Sequence, residues 1–144
     1  MILKIISIAL LALNLNLHQP DQSWVQIFDV QQEKVVKQIP LTHELEKSFI
    51  GLLDSSPKMY GGMDMNPKSG LILHVEFKNP VKLTSAVYTD LVKEAYLFLE
   101  PGEQPKSLIY FNSKRGFIVV VLKGDSNQFI KSNPSIGICT KNAT

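Results

Sequence analysis

Cysteine is nearly missing from this 144-residue chain: Cys139 is its single example. No intramolecular disulfide can staple the fold, and no cysteine follows the N-terminal apolar run to carry a lipid. Cys139, between Ile138 and Thr140, reads as a small, half-buried apolar residue rather than a reactive thiol. A charge excess is missing too. The chain has 15 Lys and Arg against 13 Asp and Glu, for a formal net charge of +2, and Lys4 belongs to the N-terminal segment. The lysines are scattered, so the basic stripe of a nucleic-acid binder is absent and no nucleic-acid partner is expected. There is no G-x-S-x-G nucleophile elbow and no second histidine at zincin spacing from His43. No apolar run reaches the roughly 20 residues of a membrane-spanning helix. No catalytic residue is assigned and no cofactor is expected. What is there is a composition, 44% hydrophobic and 19% charged, that argues for a packed core and against disorder.

Residues 1–17 have the pattern of a secretory signal peptide or N-terminal membrane leader. Lys4 supplies the positive start, and Ile5 to Leu13 form an apolar stretch broken only by Ser7, as translocation signals require. Asn14 and Asn16 end the run before membrane-spanning length. Ala9 and Ala12 are the only alanines of the segment, so the small residues that mark a cleavage site are sparse. Two fates stay open: cleavage between Ala12 and His18, or an uncleaved leader that attaches the protein to a membrane. A third reading, a buried N-terminal element of a cytosolic protein, rests on the same apolar pattern. The leader reading expects a secreted or extracytoplasmic protein that touches a membrane only through a retained leader.

Residues 18–23, with Pro20, read as a linker. Residues 24–132 read as a single α+β domain and residues 133–144 as a mostly polar, frayed tail. Trp24 to Val30 and Val35 to Ile39 pattern as an N-terminal hairpin across the polar turn Gln31–Lys34. Thr42 is the expected N-cap of a helix over 42–54, with Glu44 and Glu46 in the first turn and Leu45, Phe49, Leu52 and Leu53 along one stripe. Residues 58–70 read as a long loop. Leu71, Leu73, Val75 and Phe77 alternate with Ile72, His74 and Glu76, which predicts a strand with one solvated side. A strand is expected from Val92 to Glu100, and a hairpin from Leu108–Phe111 and Phe117–Leu122. The second of these is apolar on both faces, which predicts a central strand. Asp125 or Ser126 caps a short C-terminal helix carrying Phe129 and Ile130. The expected architecture is a mostly antiparallel sheet of about five to seven strands with one packed amphipathic helix and the short last helix.

Two constellations carry possible chemistry. Met59, Met63 and Met65 fall within one loop, and His74 follows on the next strand; thioethers suit Cu(I), so these four form a candidate extracytoplasmic copper site. The competing reading makes the methionines apolar anchors for a loop lying on a sheet. His74 and Glu76 share a strand face and would make the acid/base pair of a small hydrolase, against the reading of a solvated polar face. Gly62 to Ser69 approaches a phosphate-binding loop, but Pro67 replaces a glycine and lacks an N–H for phosphate. The four tyrosines and Trp24 offer stacking surfaces, against ordinary cross-strand packing.

Leu91-Val92-Lys93-Glu94-Ala95, the Glu100–Pro105 turn, Leu108-Ile109-Tyr110-Phe111 and Gly124-Asp125 before Phe129 carry one resemblance. Together these segments, between Val81 and Phe129, resemble small exported proteins of unknown function from Gram-positive, Bacillus-like bacteria. The resemblance implies export and no particular activity. The combined expectation is an exported, non-enzymatic domain that binds a protein or a cell-envelope component. Copper binding and hydrolysis are the alternatives.

Overall fold

The computed structural model describes residues 22–137. The expected leader at 1–17, most of the linker and Cys139 lie outside the described residues. The chain forms β1 (Trp24–Asp29), β2 (Lys34–Pro40), α1 (His43–Leu53), β3 (Lys58–Met59) and β4 (Leu71–Val81). It continues through β5 (Val92–Leu99), β6 (Lys106–Phe111), β7 (Phe117–Val121) and α2 (Ser126–Ser132). All strands among the described residues join one 7-stranded sheet in the order β2-β1-β4-β5-β6-β7-β3, and every neighbouring pair is antiparallel. An α+β fold with an antiparallel sheet is therefore what the chain adopts.

Local chemistry accounts for most boundaries. β1 and β2 turn at residues 30–33, where Glu33 takes a left-handed φ of 53° and Asp29 Oδ1 accepts from the Gln32 N–H at 2.9 Å. Thr42 caps α1 by accepting from the Leu45 N–H at 3.2 Å, which satisfies one of the orphan amides at a helix start. Asp125 does the same for α2 through the Asn127 N–H at 2.9 Å. Leu45, Phe49 and Leu53 of α1 enter one core with Val25, Leu73, Val75, Leu97 and Ile109 from one face of the sheet. Phe129 of α2 meets Phe49 with ring centroids 5.7 Å apart.

Four features differ from the sequence-based expectations. First, the β4 face carrying His74 is not solvated there: Ile72 and His74 are buried, and Ile72 belongs to a second cluster with Phe28, Tyr96, Phe98 and Leu108. Second, β7 is not central. Only two residues of β3 pair outside it, and Phe117 remains 49% exposed. An apolar run records hydrophobicity, not position in the strand order. Third, the expected loop contains β3, whose pairing partners lie more than sixty residues further along the chain and leave no local periodicity. Fourth, the segment after α2 is packed as far as the description reaches. Ile136 is fully buried in the first core, and Lys37 Nζ donates to the Ser135 carbonyl at 2.7 Å.

The connection from β3 to β4 must pass from the sheet edge to a strand four places inward. Met65, on this connection, packs against the second cluster. Its end is held by Gly70, which accepts from the Val30 N–H at 3.1 Å. Gly70 has φ +87°, and a Cβ there would lie 2.2 Å from the Leu99 carbonyl oxygen, so glycine is required at this position.

Candidate functional site

Two places on the molecule gather functional groups. The first is a polar cluster on the second face of the sheet. Register places Gln26, His74, Tyr96 and Leu108 side by side across β1, β4, β5 and β6, and sets Glu76 opposite Glu94. His74 Nε2 and Glu94 Oε1 lie 2.6 Å apart, and the His74 ring stacks on Tyr96 with centroids 4.4 Å apart and planes 14° from parallel. Tyr110 meets Tyr96 edge-on at 6.2 Å, and Phe117 meets Tyr110 at 5.8 Å. An aromatic line thus runs from the interior at β4 to the exposed end of β7.

Electrostatics within this cluster follow from burial and pairing. Desolvation pushes the Glu94 carboxyl up, but the hydrogen bond and charge of His74, with smaller help from Tyr96 and Lys93, outweigh it and hold Glu94 below its ordinary value. The Tyr96 hydroxyl is pushed far up, first by burial and then by the Glu94 charge. Its oxygen is buried beside the Glu94 carboxylate, whose charge and hydrogen bond both favour the protonated phenol. Burial and the Glu94 charge also raise Tyr110.

The expected His74–Glu76 pair is not the one that forms. Glu76 is exposed, and the carboxylate bound to His74 comes from β5. Glu94 and Tyr96 carried no signal of this role, because the pairing depends on the β4–β5 register. A reacting group must be reachable by its substrate, and the His74 side chain is only 2% exposed. The geometry makes this pair a cross-strand tie between β4 and β5.

The candidate copper ligands are dispersed. Met59 sits on β3 and His74 on β4, four strand places apart. At about 4.8 Å per place the separation is on the order of 19 Å, far beyond any shared coordination sphere. Met63 is fully exposed, Met59 is 58% exposed, and Met65 is packed against the second cluster. Among the described residues no group of three His, Cys, Asp or Glu is placed to hold a metal ion.

The second place is the edge formed by β7 and β3. Met59, Met63 and Phe117 are the exposed large apolar side chains among the described residues, and all three belong to this edge or to the chain leaving it. Met59 pairs with Val120, whose side chain enters the first core. Phe117 pairs with Tyr110 of the opposite face. Apolar groups therefore flank the edge on both faces. Lys58 and Lys123 border a hollow of about 440 Å³ with Ser56, Gln104, Val121 and Leu122. Lys106 places its ammonium 5.2 Å from the centre of the Tyr60 ring. Comparison with known proteins gives no match to this chain, whether against family models, curated proteins or solved structures.

Proposed function

We propose that the protein is an exported, non-enzymatic domain that binds another protein or a component of the cell envelope. The observation that carries the binding reading is the exposure of Met59 and Phe117 on one sheet edge, with exposed Met63 on the chain leaving it. Isolated exposed apolar residues are ordinary, whereas their collection at one site marks an interaction surface. Export is supported by the Lys4 and Ile5–Leu13 pattern.

Site-specific photo-cross-linking tests the reading in producing cells. A photoreactive side chain at position 117 is expected to form covalent adducts in the envelope or medium fraction. The same group at exposed Gln31, on the β1–β2 turn, serves as control. Equal adduct yields at the two positions, or none at 117, would remove the β7–β3 edge as the binding surface.

A further inference from the structure

We infer that the β7–β3 edge takes up an extended polypeptide segment with acidic residues flanking an apolar core, which joins the 7-stranded sheet as an additional strand outside β3. This rests on the binding reading above and specifies the partner.

The backbone provides the first argument. The Tyr60 N–H bonds the Val119 carbonyl at 2.9 Å. By the alternation of an antiparallel ladder, Met59 then turns its own N–H and C=O away from β7. No described residue meets them. Unpaired groups of this kind are a template for a further strand. The side chains provide the second. Met59 flanks the edge on one face, and Phe117, on β7 just beyond the end of β3, flanks it on the other, so apolar side chains on either face of an added strand meet an apolar group.

Charge selects the partner. From Ser55 to Met63 and from Gln104 to Gly124 the chain contains Lys58, Lys106, Lys114, Arg115 and Lys123 and no carboxylate. Lys58 and Lys123 stand at one end of the edge and Arg115 at the other; none of the three has a carboxylate within salt-bridge distance among the described residues. Lys114 is turned to Thr89 Oγ1 at 2.9 Å, beside Asp90. Of the carboxylates bordering these stretches, Asp54 accepts from the Thr84 N–H, Asp64 from the Asn66 N–H and Asp125 from the Asn127 N–H at the α2 cap. From Val121 to Phe117 the edge covers five residues, four steps of about 3.3 Å or about 13 Å. Acidic groups at both ends of a short apolar stretch therefore meet both sets of cations. A second copy of the chain is a poor occupant, because two-fold antiparallel pairing would set Lys58 and Lys123 against Arg115. A lipid surface would answer the charge and leave the Met59 backbone unpaired.

Fluorescence anisotropy with two labelled synthetic octapeptides tests this. Both have a Val-Ile-Val-Ile core; one carries two glutamates at each end, the other two lysines. The glutamate peptide is expected to bind the full chain at least tenfold more tightly than the lysine peptide. Binding is expected to fall at least tenfold in K58E/R115E and in M59P, which deletes the outward N–H without removing a ladder bond. Circular dichroism and a thermal melt verify that both variants fold. K58Q/R115Q gives the charge test should the double reversal not fold. Equal binding of the two peptides, no binding of either, or binding unchanged in M59P overturns the inference. Binding to phosphatidylglycerol vesicles that M59P leaves intact, or a dimer that the glutamate peptide does not dissociate, also overturns it. If adducts form at position 117 while the peptides fail, the partner assignment falls and the binding reading stands.

Discussion

His74 shows how one side chain acquires its role from residues far along the chain. Its imidazole is held by Glu94 and stacked on Tyr96, and each contact crosses from β4 to β5. Breaking a buried hydrogen-bonded pair leaves one partner unsatisfied, at a cost of about 1–3 kcal/mol. H74L is therefore expected to lower unfolding free energy by about that amount in urea titration. The acid limb of the stability profile follows from Glu94. Its folded-state value lies below the ordinary 4.5, so its contribution is present above that value and is lost as pH falls through the lowered one. E94Q is expected to flatten the loss of stability below about pH 4.5, as read by melting temperature against pH. An unchanged slope would disconnect the pair from acid unfolding. The Tyr96 hydroxyl is buried beside the Glu94 carboxylate, so Y96F trades a desolvated phenol against a donor to Glu94 and is expected to change stability by no more than about 1 kcal/mol in urea titration.

At the scale of elements, capping and periodicity made α1 readable. Thr42, the two first-turn glutamates and the Leu45–Phe49–Leu53 stripe are local signals, and the helix at His43–Leu53 obeys them. The β1–β2 hairpin, β4, β5, the β6–β7 hairpin and α2 follow from alternation and turn residues in the same way. The β3–β4 connection was not readable, because its course is set by where β3 pairs. Gly70 is its fixed point: with φ +87° and the Leu99 carbonyl against any Cβ, G70A is expected to cost about 1–3 kcal/mol, measured by thermal or chemical unfolding. Little or no loss would mean that the connection can leave the sheet without consequence. Tyr88, whose hydroxyl donates to the Leu53 carbonyl, closes the C-terminal end of α1. Burial, with a smaller contribution from Asp54, pushes that phenol up, so it keeps its proton for this bond.

For the whole molecule, the extent of the packed body differs from the compositional boundary. A polar tail was expected from Asn133, yet Asn133 and Ile136 are buried and Lys37 reaches the Ser135 carbonyl. A single apolar residue among polar neighbours gives no periodic signal, so its burial appears only once the sheet and both helices are assembled. I136A is expected to lower stability by about 2–5 kcal/mol, as for other large-to-small changes in a packed core. Calorimetry of this variant checks it, and a melting temperature within a degree of the parent would return the segment to the status of a tail.

Local sequence signals carry the class of fold and the order of most of its elements, because caps, turn residues and the 2- and 3.6-residue periods act over a few neighbours. The sequence by itself also determined which side chains were available for chemistry. Tertiary structure alone decided which of them meet. Strand register gave His74 its partner on β5 and left Glu76 in solvent. Strand order separated Met59 from His74 and brought Met59, Phe117 and Lys58 to one edge. Register and order are long-range properties, settled by the joint burial of both sheet faces, and no short window of residues encodes them.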